Sequence, residues 1–367
     1  MFLGVVLEER YTIVMSNKTI FVGTKQIGEG YPVFVIAEAG VNHNGDLLLA
    51  KKLIDAAVEA GADAVKFQTF DPDTLVTKSA SKASYQDKNE KKEGGETQYE
   101  MLKRLMLKRE YHPELKAYAE SKGIIFLSTP FSLSDAEFLR DLGIAAFKVG
   151  SSDTNNIPYL RTIAKWKLPI IISTGMSDLQ LIKESVEAIR KAGNEDLIVL
   201  HCTTNYPAPI REVNLRAMQT LAQELDVLVG FSDHTEGIVA PVLSVALGAM
   251  VIEKHLTLDK AMPGPDHKAS LNPREFKEMV HAVRDAKLAL GTGEKSLFGS
   301  EAEIAKVARK SLVTSQPVKK GDKFTEQNLT VKRPGTGLPP KMFDQVAGKT
   351  ATRDLEADTV LQESDFR

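Results

Sequence analysis

The chain has 367 residues, 43% hydrophobic and 26% charged, the composition of a globular protein with room for one large domain and a small one. A formal net charge of -2 gives no global reason to expect nucleic acid or membrane partners, and none is expected; any anionic ligand must be met by a local cluster of cations. No apolar run approaches the roughly 20 residues of a membrane span, and Cys202, the only cysteine, can form no intrachain disulfide, in keeping with a reducing cytoplasm.

The opening Met1-Phe2-Leu3-Gly4-Val5-Val6-Leu7 is apolar but is cut short by Glu8, Glu9 and Arg10 and has no basic flank, so it does not read as a signal peptide. Met15 is a more natural start; residues 1–14 are expected to play no part in the fold, and residues 1–30 are treated as an N-terminal extension.

From Val33 onward, short β-branched runs alternate with segments of helical spacing. The predicted strands begin at Val33-Phe34-Val35-Ile36-Ala37-Glu38, Ala64-Val65-Lys66-Phe67-Gln68-Thr69, Ile124-Ile125-Phe126-Leu127-Ser128-Thr129 and Ala145-Ala146-Phe147-Lys148-Val149-Gly150. They continue at Ile170-Ile171-Ile172-Ser173, Leu197-Ile198-Val199-Leu200-His201, Val227-Leu228-Val229-Gly230-Phe231 and Met250-Val251-Ile252-Glu253-Lys254-His255. The first helix, roughly 46–60, ends at Gly61, a C-cap; Leu181 to Lys191 and Glu275 to Leu290 are further helices. Eight βα units over residues 31–293 predict an α/β fold of the (β/α)8 TIM-barrel type. An open doubly wound sheet is the rival, but it rarely needs eight units and usually carries a glycine-rich phosphate turn.

The insertion Asp71 to Gly95 reads as a solvated loop or lid, and its charge run Lys88 to Glu93 as a solvated surface. After Gly293, residues 294–310 read as a helical linker. Residues 311–367 read as a small, mostly β module with little core of its own, expected to dock on something.

Most strands end in polar side chains, at the end where barrel enzymes place their chemistry. Lys66 and Gln68 alternate with Phe67 and share a face; Lys148 lies on the fourth strand, followed by Ser151, Ser152 and Asp153. One mid-strand lysine is readily a paired core charge. Two facing into a barrel among Ser and Thr hydroxyls describe a phosphate or carboxylate site. His234 and His255, at equivalent ends of adjacent strands, could share one divalent metal, with Glu or water completing the shell, although they lack the spacing of a zinc hydrolase. Cys202 reads as a small buried residue, and Lys254, pointing opposite to its neighbours, as lying on the outside.

These residues resemble the sialic acid synthases, the phosphoenolpyruvate-dependent nonulosonic acid synthases. The resemblance runs from about Phe34 to Phe366. Its markers are Ala37-Glu38-Ala39-Gly40-Val41-Asn42-His43-Asn44-Gly45, Lys66-Phe67-Gln68-Thr69, Ser128-Thr129-Pro130-Phe131 and Lys148-Val149-Gly150-Ser151. They continue with Ser173-Thr174-Gly175-Met176, Phe231-Ser232-Asp233-His234-Thr235, Glu253-Lys254-His255 and Gly264-Pro265-Asp266-His267. Each is weak alone; eight in order are specific. The tail, through Asn328-Leu329, Lys332-Arg333-Pro334-Gly335-Thr336-Gly337 and Gly348-Lys349, resembles the antifreeze-like (SAF, β-clip) domain that follows the barrel in these enzymes, a likeness that does not imply ice binding.

The resemblance implies that Lys66, Thr129, Lys148, Ser151 and Ser173 hold phosphoenolpyruvate, and that Glu38, Gln68, Tyr206, Asp266 and Arg333 bind an open-chain N-acyl amino sugar. Asp153, together with Glu38, would carry the acid–base work, and His234 and His255 would hold a divalent metal, usually manganese, with magnesium or cobalt as alternatives. It further implies a cytoplasmic, domain-swapped homodimer in which Arg333 reaches the partner's sugar site. N-acetylmannosamine is the first expectation for the acceptor and N-acetylneuraminate for the product. Two departures keep a 2,4-diacetamido-6-deoxy acceptor, giving legionaminate, open: Asp153 stands where glutamate is typical, and Thr204-Asn205-Tyr206 lacks an asparagine one position earlier. Pseudaminate fits the surroundings of Gly150-Ser151 and His201 less well. A lysine Schiff-base aldolase on the same barrel, with Lys66 or Lys148 as nucleophile, and a non-catalytic carbohydrate- or ice-binding protein are the rival functions.

Overall fold

A computed structural model describes residues 18–83, 86 and 96–367. The expectations for residues 1–14 and for the run Lys88 to Glu93 lie outside the described residues. The chain divides into two compact units, Met1–Gly291 and Thr292–Arg367.

The first unit is built on eight parallel strands: β3 (Phe34–Gly40), β4 (Ala64–Thr69), β5 (Ile125–Pro130), β6 (Phe147–Val149), β7 (Ile170–Ser173), β8 (Leu197–Cys202), β9 (Leu228–Asp233) and β10 (Val251–His255). Their lateral order is β5-β4-β3-β10-β9-β8-β7-β6, and the two end strands pack side by side without a ladder of their own, so the cylinder closes except at that seam. Helices follow the strands in turn: α1 (Leu47–Ala60) after β3, then α2 (Pro72–Leu75), α3 (Gln98–Leu105) and α4 (His112–Ser121) after β4. The succession continues with α5 (Leu133–Leu142), α6 (Ile157–Ala164), α7 (Leu179–Lys191), α8 (Ala217–Leu225), α9 (Val239–Ala246) and α10 (Pro273–Leu290). The TIM-barrel expectation is borne out. Asp46 caps α1 by accepting from the Leu49 amide, and Gly61 ends it in the left-handed region at φ 80°, which a side chain would disfavour.

Strand residues that face outward, such as Val35, Phe67, Val149 and Ile252, are buried against the helices in one large core. Those that face inward near the strand starts, including Ile36, Ala64, Leu127 and Ile198, form a second core inside the cylinder. That inner core is completed by Ile20, Val22 and Ile27 of a hairpin, β1 (Thr19–Val22) and β2 (Lys25–Gly28). Residues 19–28, placed in the N-terminal extension from sequence, therefore stopper one end of the barrel and leave the other as the open mouth. No helix among the described residues is long and apolar enough to cross a membrane.

The insertion after β4 is not wholly a loop. Asp71 caps α2, and a Thr97/Glu100 capping box starts α3, whose Met101 and Leu105 pack with Val41 and Phe70 beside the mouth.

In the second unit, α11 (Gly299–Ala308) occupies the predicted helical linker and has no buried residue, followed by β11 (Ser311–Thr314), β12 (Leu329–Lys332) and α12 (Phe343–Val346). The two strands pair antiparallel, and isolated bridges such as Val318 with Leu355 and Lys323 with Thr350 extend the β character. The expectation of little core is corrected: nine buried apolar side chains, among them Leu312, Phe324, Leu338 and Val346, pack on one another.

Candidate active site

Period-two alternation sends Glu38, Lys66, Lys148, Ser232, Glu253 and His255 above the inner apolar layer, toward the mouth. Gly230, on the same inward row, has no room for a side chain: a Cβ there would lie 2.5 Å from the Val251 carbonyl oxygen.

Lys66 Nζ donates to Thr129 Oγ1 at 2.9 Å and pairs with Glu38 Oε2 at 2.7 Å and Glu253 Oε2 at 3.7 Å. Lys148 Nζ donates to Ser173 Oγ at 2.7 Å and lies 3.4 Å from Glu253 Oε1, which also accepts from Ser232 Oγ at 3.0 Å. Gln68 Nε2 donates to the other oxygen of Glu38 at 3.1 Å. Both ammonium groups thus converge on one carboxylate, Glu253. This residue is missing from the sequence-based ligand sets, although it stands on the inward row two residues before His255 and opens the Glu253-Lys254-His255 marker. The structure shows the paired-charge arrangement: both cations are compensated by buried carboxylates, with which an anionic ligand would have to compete.

Burial dominates the electrostatics. It pushes Glu38 up to about 7, with the nearby Glu253 adding to the rise and the Lys66 ion pair opposing it only in part. Burial lowers Lys148, while the carboxylates of Glu253 and Glu38 more than offset burial at Lys66, which is raised. Glu253 is held low against its own burial, first by Lys148 and then by Lys66.

The loops beyond the strands add donors. The Gly175 amide donates to Ser151 Oγ at 3.0 Å, tying the turn after β7 to the turn after β6. A Cβ on Gly175 would stand 2.0 Å from Thr204 Oγ1, so only glycine lets these loops approach. Asp153 is half-buried on the 3-10 turn Ser151–Asp153, accepting from Ser152 Oγ at 3.1 Å and Asn156 Nδ2 at 3.3 Å, and burial raises its pKa. No hydrogen bond or ion pair among the described residues joins it to either lysine.

The rings of His234 and His255 lie 5.5 Å apart. Tyr206 packs on both, 4.0 Å from the first and 5.5 Å from the second. His234 Nδ1 faces the Thr203 carbonyl oxygen at 2.9 Å; that contact puts a proton on Nδ1, so that in the neutral ring Nε2 carries the lone pair. His255 Nδ1 is buried without a hydrogen-bond partner, 3.9 Å from Asp266 Oδ2. No group of three His, Cys, Asp or Glu suited to a metal occurs among the described residues. The pair and its orphaned nitrogen fit a divalent ion that takes its remaining ligands from water or substrate. Cys202 is buried as expected, with Sγ 3.7 Å from His234 Nδ1.

Two expectations need comment. Lys254 does face away from its neighbours, but it is fully buried and bonded to Asp233 Oδ2 at 2.5 Å; outside the cylinder is still inside the protein, under the helix layer. Arg333 is exposed on the second unit, in the turn after β12.

The site loops also bear on stability. Burial holds His43 and His112 at about 4, well under the unfolded value near 6.5. The unfolded chain therefore binds more protons between those pH values, and stability falls as pH drops from about 6.5 through 4, by up to about 3 kcal/mol per histidine. Glu38, raised to about 7, acts in the opposite sense over much of the same window, but His267, which burial also holds at about 4, adds to the two histidines. Urea midpoints should decline from pH 7 to pH 4.5; a flat profile would contradict this burial.

Comparison with known proteins fits this geometry. The NeuB family model matches residues 53–295, and the SAF domain model matches residues 309–367. The chain belongs to the NeuB family. It is 48% identical over 350 residues to the N,N'-diacetyllegionaminic acid synthase of Legionella pneumophila, covering 94% of this chain and 98% of that one. It is 38% identical over 340 residues to the human N-acetylneuraminate-9-phosphate synthase, covering 92% and 94% of the two chains. Among solved structures, the N-acetylneuraminic acid synthetase of Leptospira borgpetersenii, crystallised with citrate, superposes with a TM-score of 0.69 at 34% identity, covering 79% of this chain and 95% of that one. NeuB proteins are nonulosonic acid synthases, which form a carbon–carbon bond between phosphoenolpyruvate and an amino sugar. This chain is such an enzyme, and the non-catalytic reading is set aside.

Proposed function

We propose that this NeuB enzyme is an N,N'-diacetyllegionaminate synthase, joining phosphoenolpyruvate to 2,4-diacetamido-2,4,6-trideoxymannose with water and releasing phosphate by C–O cleavage. The convergence of Lys66 and Lys148 on Glu253 supports the phosphoenolpyruvate half of the reading, because it aims two cations and their Thr129 and Ser173 hydroxyls at one small volume. Phosphoenolpyruvate brings about three negative charges, and such fixed donors meet them without reorganisation. The Ser151 hydroxyl, held in place by the Gly175 amide, extends the donor set.

The sugar half rests on the relatives. N-acetylmannosamine is the first expectation from sequence alone, but identity to the legionaminate enzyme exceeds that to the N-acetylneuraminate-9-phosphate enzyme, 48% against 38%. Asp153 fits the same preference: a side chain one methylene shorter than glutamate withdraws the carboxylate by over an ångström and leaves space for a further substituent.

Glu38, Gln68, Tyr206 and Asp266 would hold the open-chain sugar with its aldehyde toward the histidine pair. The vinyl carbon of phosphoenolpyruvate forms the new bond to the aldehyde carbon, and positive charge develops at the carbon bearing the phosphate. Water adds there, Asp153 orienting it and taking one of its protons; the tetrahedral intermediate then loses its hydroxyl proton as the carbonyl forms and the phosphate leaves with the bridging oxygen, while the former aldehyde oxygen takes up a proton to become a hydroxyl. His234 and His255 would hold the divalent ion, manganese by preference with magnesium or cobalt as substitutes; when bound, it supplies Lewis-acid polarisation of the aldehyde. Arg333 completes the sugar site from a partner subunit in a domain-swapped homodimer, and the enzyme works in the cytoplasm.

With both sugars offered, kcat/KM for the diacetamido sugar should exceed that for N-acetylmannosamine by about 10,000-fold, the scale on which a site built to hydrogen-bond a substituent rejects the analogue lacking it. A preference for N-acetylmannosamine would return the enzyme to sialate synthesis.

A further inference from the structure

Behind the two histidines, on the outer face of the same strand ends, lies an ion pair that the chemistry above does not use. Asp233 precedes His234 on β9, and Lys254 precedes His255 on β10; the two residues are register partners. Lys254 Nζ donates to Asp233 Oδ2 at 2.5 Å with both side chains fully buried, and it also donates to the Thr235 carbonyl oxygen. The Asp233 carboxylate accepts from the Thr235 amide at 2.8 Å and from Thr235 Oγ1 at 3.2 Å, closing a tight turn around His234. One ammonium group thus grips the residues on both sides of His234 while its own backbone carries His255.

A buried ion pair is weak warrant for stability, since apolar residues of similar volume often serve as well. A fixed geometry is a better account of its place. Two imidazoles on separate strands share an ion only if their separation holds to a fraction of an ångström, and groups beyond the ligands commonly set that geometry. We infer that the Asp233–Lys254 pair is a positioning strut that fixes the His234–His255 separation and so sets the enzyme's affinity for its divalent ion. The inference rests on the reading of those histidines as metal ligands, and the test separates the two.

Manganese binding to the full-length protein, without substrates, is read from the loss of the free-ion electron paramagnetic resonance signal, alongside thermal melting and phosphoenolpyruvate binding by calorimetry. Lys254→Met and Asp233→Asn should each weaken manganese binding about 10- to 100-fold while leaving phosphoenolpyruvate affinity within about twofold. Should either single change unfold the chain, Asp233→Asn/Lys254→Gln removes both charges together and is expected to show the same weakening. Lowered melting temperature with unchanged manganese affinity would make the pair a structural element only and overturn the inference. If the wild-type protein itself fails to bind manganese, or binds it equally well as His234→Ala, the metal reading falls instead.

Discussion

Lys148→Ala should reduce kcat/KM for phosphoenolpyruvate about 1,000-fold, and calorimetry should no longer detect the ligand. The change removes one of two buried cations, and it leaves Glu253 with Lys66 alone at 3.7 Å to offset its charge. Truncating one partner of a buried, hydrogen-bonded charge pair between protein and ligand costs about 2–5 kcal/mol of binding, and about 4 kcal/mol corresponds to three decades. Unchanged phosphoenolpyruvate affinity would remove Lys148 from the site. The same variant tests the shared site: mixed with Arg333→Ala under conditions that exchange subunits, it should recover about one quarter of wild-type activity. Half of randomly assorted dimers are then heterodimers, each with one intact site and one doubly altered. No recovery would argue that Arg333 serves its own barrel or none.

Chelation is the second large effect. Dialysis against EDTA should lower turnover about 100- to 1,000-fold, because polarising a carbonyl oxygen is worth several kcal/mol. Manganese should restore activity fully, with magnesium or cobalt restoring part of it. Phosphoenolpyruvate should still bind the stripped protein, since the ligands proposed for it are the lysines and hydroxyls rather than the histidines. Undiminished turnover after chelation would leave His234 and His255 without their assigned task.

Much of this architecture is legible before folding, for identifiable reasons. Strands such as Ile170–Ser173 and Leu197–Cys202 announce themselves as β-branched runs bounded by polar or turn residues, and helices such as Leu179–Lys191 by their apolar spacing. Between them these signals dictate the barrel. One source of error is that a barrel strand is buried on both faces, so alternation tells inward from outward but never exposed from covered. Lys254 was assigned to the outside on that ambiguity. Glu253 went unassigned as a counter-ion because pairing with two lysines on other strands is a property of the closed cylinder. The Thr19–Gly28 hairpin escaped notice because four-residue strands around Gly23 carry too little pattern to distinguish a barrel stopper from a frayed terminus. Its apolar Ile20, Val22 and Ile27 were the available signal.

On the proposed function, the paired lysines bind phosphoenolpyruvate so that its vinyl carbon, and no enzyme amine, bonds to the sugar aldehyde. Phosphoenolpyruvate carrying a labelled bridging oxygen, incubated with enzyme, manganese and 2,4-diacetamido-2,4,6-trideoxymannose, tests it in a single mass-spectrometric run with and without borohydride. The account predicts phosphate release only when both substrates are present, the label in the phosphate, one nine-carbon acid as product, and protein of unaltered mass after reduction. Label retained in the sugar acid, or a borohydride-fixed adduct on Lys66 or Lys148, would contradict it.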